Sequence, residues 1–179
     1  MWRAVVLVLA LVLGAYAFEL ECTCDPKTPE SLKVRQCSLC SEAEKHPTDE
    51  AVFFLKDINP RKPNRWLALP RAHGGDAHHL HEMAPAERTA LWTAAIAKAR
   101  ELFGDDWGLA YNGLKARTQC HAHIHIGRFL KAVETDSFIL VSKPDEIPAP
   151  PNEGVWVHPV GDKLHVHTGE QITETVLLR

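Results

Sequence analysis

Between residues 121 and 127 the chain reads His-Ala-His-Ile-His-Ile-Gly, and this strict alternation constrains the fold more than any other stretch. Side chains of a strand point alternately to its two faces, so His121, His123 and His125 share one face while Ala122, Ile124 and Ile126 share the other. The apolar face requires a core behind it. A solvated strand would carry three histidines without consequence, but the apolar side argues for at least partial burial. Two chemistries suit such a row. A neutral imidazole can attack phosphorus and form a covalent phosphoramidate, dividing one difficult displacement into two. Alternatively, imidazoles can ligate a transition metal, and one histidine can do so while another attacks.

The flanking sequence supplies the rest of a small sheet. Residues 51–55 (Ala-Val-Phe-Phe-Leu) form an apolar run suited to a buried strand, ended by the turn signal Asp57-Ile58-Asn59-Pro60. A second strand is expected at 65–69, a third at 107–112, and the histidine strand at 121–127. The spacing predicts one long helix over 85–103, with Pro85 in its first turn, Glu87 at the positive end of the dipole and Gly104 at the exit. Leu91, Trp92, Ala95, Ile96, Ala99, Leu102 and Phe103 recur at helical spacing, making a face that should cover the sheet. Beyond Lys131 the pattern changes to short strands at 137–142, 155–160, 163–168 and 173–178, separated by proline- and glycine-rich turns. The expected fold is α+β, an antiparallel sheet backed by one main helix, with a small C-terminal β extension.

The N-terminus reads as an export signal. Arg3 precedes a continuously apolar stretch, Ala15-Tyr16-Ala17 offers a small-x-small cleavage site, and about 15 apolar residues fall short of a comfortable membrane span. The organisation expected is a signal peptide or anchor at 1–17, a cysteine-rich irregular leader at 18–50, a catalytic domain at 51–131 and the β extension at 132–179. Export places the mature chain in the periplasm or outside the cell, or at the inner membrane if the signal is retained. A formal charge of −3 gives no broad basic surface for nucleic acid.

Taken together, these blocks resemble the histidine-triad (HIT-like) superfamily. The 121–127 stretch matches its His-x-His-x-His motif, with Gly127 in the last hydrophobic place. Residues 54–60 resemble its aromatic-x-x-Asp-φ-x-Pro segment, and 67–73 its φ-φ-φ-Pro-Lys-x-His segment. The blocks keep the family order over about half the chain. The resemblance implies that His123 is the nucleophile on a phosphoric anhydride, with His125 and His121 completing the triad. It implies phosphate contacts from His125 and Asn112 and places Asp57 near the ribose, with Gln119 and Arg65 as further phosphate-binding candidates. Arg65 stands where many members have a histidine. The substrate expected is a nucleotide or a nucleotide-lipid, and a homodimer is among the assemblies open to the chain. Arg117-Thr118-Gln119 before His123-Ile124-His125-Ile126 also looks like the CDP-diacylglycerol pyrophosphatases, a membrane-associated branch; His121 departs from that branch.

Five cysteines raise a second question. Cys37-Ser38-Leu39-Cys40 has half-site geometry for structural zinc. Zinc-bearing members of the superfamily complete the pair with two histidines, which here are His73 and His121, giving Cys37, Cys40, His73 and His121. Disulfides joining Cys22 and Cys24 to Cys37 and Cys40 are a rival, as is a four-cysteine zinc site. Cys120 reads as a buried packing thiol. His78, His79 and His81 are expected in solvent before the helix. His158, His165 and His167 either line a pocket, bind a second metal or occupy exposed strand positions, the last being the expectation. A non-catalytic exported zinc-binding protein is the reading from a different functional class.

Overall fold

A computed structural model describes residues 20–73 and 78–179. The segment read as a signal peptide lies outside them. Among the described residues no helix is long and apolar enough to cross a membrane.

Seven strands form one antiparallel sheet: β1 (Val52–Lys56), β2 (Trp66–Pro70), β3 (Trp107–Tyr111), β4 (Ile124–Arg128), β5 (Ile139–Val141), β6 (Val155–Val160) and β7 (Lys163–Thr168). Their spatial order is β1-β2-β4-β3-β6-β7-β5. The C-terminal strands therefore continue the sheet, because β6 pairs with β3 through Leu109–Val157, Ala110–Trp156 and Tyr111–Val155. Among the described residues two α-helices accompany it, the short α1 (Ser38–Ala43) in the leader and α2 (Pro85–Phe103). α2 has the expected bounds. Proline fits its first turn, and Gly104, at φ +60°, ends it while its N–H bonds to the Arg100 carbonyl.

The main core lies between α2 and one face of the sheet. Leu91, Trp92, Ala95 and Ile96 pack there against Leu109, Ile124, Ile126, Val157 and Val166. Strand β4 thus has its isoleucines on the helix side, and His125 and Gly127 face away from α2. That second face is covered by the C-terminal segment. Residues 173–178, expected as a strand, instead form a 3-10 turn (Thr173–Val176) and a single bridge between Leu177 and Phe129. Val176 and Leu177 are buried against Ala110, Phe129 and Trp156.

Close approach of this segment explains two glycines that face each other across β3 and β4. A Cβ at Gly108 would stand 2.6 Å from Leu177 Cδ2, and one at Gly127 would stand 2.9 Å from Arg65 Cδ and 3.2 Å from Leu177 Cβ. Gly127, standing where the motif that the 121–127 stretch resembles has a hydrophobic residue, leaves the space in which the C-terminal segment lies.

The leader is held by disulfides. Cys22 is bonded to Cys120 and Cys24 to Cys37, while Cys40 is a buried free thiol. Cys120, read from sequence as a packing residue, thus fastens the leader one residue before His121. A crosslink that closes a long loop restricts the unfolded chain most, and Cys22–Cys120 spans 98 residues against 13 for Cys24–Cys37. Cys22→Ser should accordingly lower unfolding stability by about 2–4 kcal/mol and by more than Cys24→Ser does. Equal stability of Cys22→Ser and the parent in denaturant titrations would contradict this pairing.

Candidate functional site on the histidine face

β4 begins at Ile124, so His125 lies in the regular strand and His121 and His123 lie on the approach to it. All three are buried. The Nδ1–H of His123 donates to the carbonyl oxygen of His121 at 2.8 Å. A carbonyl can only accept, which assigns the proton to Nδ1 and leaves a lone pair on Nε2. Burial, aided by the Arg117 charge, pushes His123 down to about 4, so the ring is neutral at neutral pH. His125 stands edge-on to it at a centroid distance of 4.9 Å and is held well below its ordinary value, first by burial and then by His123, Arg65 and Lys62. Neither ring nitrogen of His125 has a hydrogen-bond partner among the described residues.

His121 has a different role from the one the triad motif suggests. Its Nε2–H donates to the Pro70 carbonyl at 2.8 Å, and its ring, wholly buried, packs near Phe53 and edge-on to His73. It joins the approach of β4 to the end of β2, and burial pushes it down to about 3.

The expected phosphate contacts are largely engaged in holding other segments. Asn112 Oδ1 accepts from the Thr173 N–H at 2.9 Å, the Thr173 hydroxyl at 3.3 Å and the Glu174 N–H at 3.1 Å. Arg65, 1% exposed, donates from Nε to the Leu178 carbonyl and from Nη2 to those of Glu174 and Leu177. Both residues therefore seat the C-terminal segment. The Gln119 amide accepts from Ser38 Oγ and donates to the Arg35 carbonyl, which ties it to the leader. Asp57 Oδ1 accepts from the Asn59 N–H and shapes the turn after β1.

Three residues at the site were given no role there by the sequence, although Arg117 belongs to a motif noted above. Arg117 is buried and donates to the carbonyls of His78, Gln119 and Cys120 and to the Tyr111 hydroxyl, fixing the chain that enters the triad. This contact draws the loop before α2 inward: His78 and His79 are partly buried, and only His81 is exposed as expected. Glu174 and Lys62 form a close ion pair beside His125. The other Glu174 neighbours are Arg65 Nη1 and His125 Nδ1, both 3.7 Å from its Oε2. Glu174 also lines a cavity of about 290 Å³ with Lys62, Arg65, Leu130, Thr175 and Leu177, whose wall includes neither His123 nor His125. A lone glutamate near the end of a chain gives no sequence signal of such a position.

The expected zinc tetrad does not form. Cys37 is taken by its disulfide to Cys24, His73 Nε2 bonds to Glu44 Oε1 at 2.6 Å, and His121 Nε2 bonds to Pro70. Burial pushes the remaining thiol, Cys40, up to about 11. The disulfides equally remove the four-cysteine alternative.

A different set of side chains converges as metal ligands do. Glu134, His158, His165 and His167 place one ligand atom each within 4.8 Å of one another and could hold an ion. Glu134 Oε1 lies 3.2 Å from His165 Nδ1 and 3.4 Å from His167 Nε2, and Oε2 lies 2.6 Å from His158 Nε2. The Nε2 atom of His167 is buried without a hydrogen-bond partner among the described residues, and that of His158 faces Glu134 alone. Sheet register assembles the set: His158 opposes His165 across β6 and β7, and His167 follows two residues later on the same face. Each ring is fixed by stacking, His158 on Phe129, His165 on Phe138 and His167 on Trp156. The expectation of exposed positions fails because Trp156, Phe129 and Phe138 cover these histidines.

No protein-family model matches the chain, and no curated protein matches it. Among solved structures, the chain is similar in fold to a DUF4931 family protein from Bacillus cereus ATCC 10987, with a TM-score of 0.52 over 70% of this chain and 84% of that one at 11% identity. The likeness supports the α+β architecture.

Proposed function

We propose that the protein is a histidine-triad nucleotide hydrolase or transferase acting on a phosphoric anhydride, with His123 as nucleophile. The observation that carries this reading is the 2.8 Å bond from His123 Nδ1–H to the His121 carbonyl, which directs an unprotonated Nε2 away from the backbone. In the first step Nε2 attacks phosphorus, the P–N bond forms, and the bond from phosphorus to the bridging oxygen breaks with departure of the leaving group. The charge that develops on the imidazole is stabilised through Nδ1–H by the carbonyl, and His125 supplies a nearby polar group for the phosphoryl oxygens. Water then cleaves the P–N bond, or another acceptor does so in a transfer. The two disulfides suit an exported protein in an oxidising compartment.

A nucleotide radiolabelled at the attacked phosphorus, quenched under alkaline denaturing conditions, should leave a covalent adduct on the wild-type chain. His123→Ala should abolish it and lower turnover roughly 10³-fold or more. Turnover that survives this substitution would sink the mechanism. The branch that hydrolyses CDP-diacylglycerol is a second reading, favoured by exposed Phe138, Ile139 and Leu140 at the sheet edge, an apolar strip suited to acyl chains. Turnover of a CDP-lipid in detergent, and none of soluble nucleotides, would select it.

The cofactor of this reading is zinc held by Glu134, His158, His165 and His167. Donor atoms around one tetrahedral zinc at 2.0–2.1 Å lie about 3.3 Å apart, close to the His165 and His167 separations from Glu134. The ion would pin the turn after β4 to the β6–β7 hairpin, a structural role. Zinc titration against a chromophoric chelator should give one tight site per chain, lost in His158→Ala and in His167→Ala and kept in Cys40→Ser. Unchanged stoichiometry in the histidine variants would refute the assignment.

A further inference from the structure

The neighbourhood of Glu174 combines features that a structural ion pair does not require. Lys62 and Arg65, from the connection between β1 and β2, and His125, from β4, converge on one carboxylate oxygen. Only Lys62 is in contact with it. Arg65 Nη1 and both nitrogens of His125 are buried with no hydrogen-bond partner among the described residues, and Arg65 Nη1 and His125 Nδ1 lie 3.7 Å from the oxygen, beyond hydrogen-bond range. Buried polar groups without partners are uncommon and point to a ligand that would supply them. A planar carboxylate on a tethered side chain cannot reach three diverging donors at once. A tetrahedral phosphoryl group, with oxygens in several directions, can.

The backbone around Glu174 is fixed by several hydrogen bonds, whereas its side chain is held by Lys62. Asn112 and Arg65 hold the main chain of residues 173–178, and Leu177 fills the space above Gly108 and Gly127. The carboxylate itself has no hydrogen-bond partner beyond Lys62 among the described residues and lies between His125 and the 290 Å³ cavity. Rotation of that one side chain would open the cavity towards His125 without unseating the segment.

We propose that Lys62, Arg65 and His125 form a subsite for a phosphoryl group, and that the Glu174 carboxylate occupies it as a built-in competitor until that group displaces it. The proposal deepens the triad reading by naming where a non-reacting or reacting phosphate is held, and rests on that reading for the substrate's identity alone. Occupancy by Glu174 lowers apparent affinity by the fraction of chains in which the subsite is free.

The probe is inorganic phosphate, whose binding is measured at equilibrium on the full chain by calorimetry and by the ¹⁵N shifts of the His125 ring. Glu174→Gln should tighten phosphate binding at least about fivefold, and Lys62→Met in that background should reverse the gain. Phosphate should move the His125 resonances. If Glu174→Gln fails to fold, Glu174→Asp keeps the charge opposite Arg65, withdraws it by one methylene and should shift affinity in the same direction. Unchanged or weaker binding in the folded Glu174 variant, or insensitivity to Lys62→Met, would overturn the subsite. These outcomes are independent of turnover. Tight phosphate binding without a nucleotidyl adduct removes the triad mechanism alone, and an adduct without the affinity changes removes the subsite alone.

Discussion

Strand β4 is third in the sheet, and both of its faces are covered: α2 packs on the side of Ile124 and Ile126, and the C-terminal segment lies on the side of His125 and Gly127. Water is thereby kept from a row of imidazoles that would otherwise titrate near 6.5. Desolvation disfavours their charged forms, so the histidines are neutral where a solvated strand would leave them partly protonated. Neutral rings must place their N–H groups, and the backbone supplies acceptors at Pro70 for His121 and at His121 for His123. Burial and tautomer are thus one constraint. In the proposed reaction the first would remove the charge that blocks nucleophilic attack, and the second would decide which nitrogen is left for it.

The same face of the sheet carries the second cluster. Ala110 on β3 opposes both His125 and Trp156, so the β6–β7 histidines stand on the side that bears the triad, one strand beyond β3. Val176 and Leu177 lie between the two groups, against Phe129 and Trp156. The C-terminal residues therefore serve as the floor of one site and the neighbour of the other, although the chain pattern alone had set them apart as an extension. Arg65 and Asn112, both read from sequence as candidate phosphate contacts, hold that floor in position. To the proposed phosphoryl subsite Arg65 would bring Nη1, which has no hydrogen-bond partner among the described residues.

What could be read from sequence was what local pattern controls. Apolar spacing with Pro85 and Gly104 located α2 to the residue, and alternation between glycine-rich turns located β6 and β7. Alternation also assigned the two faces of β4 correctly. Long-range partners were not legible. Cys120 sits 98 residues from Cys22, and nothing near it signals a disulfide. Residues 173–178 have strand-like composition but make one bridge only, because Arg65 and Asn112 take the hydrogen-bonding groups a partner strand would have used. The histidines of β6 and β7 were visible, whereas Glu134 arrives from the turn after β4 and marks itself by no motif.

The proposed chemistry depends on the protonation of one ring, and ¹⁵N-edited spectra of the histidine side chains read it directly. The prediction is that His123 shows a protonated Nδ1 and a bare Nε2 from pH 8 down to about 5, gaining a second proton only near the depressed value of about 4. An imidazolium at pH 6 to 7, or a proton on Nε2 with Nδ1 bare, would contradict it.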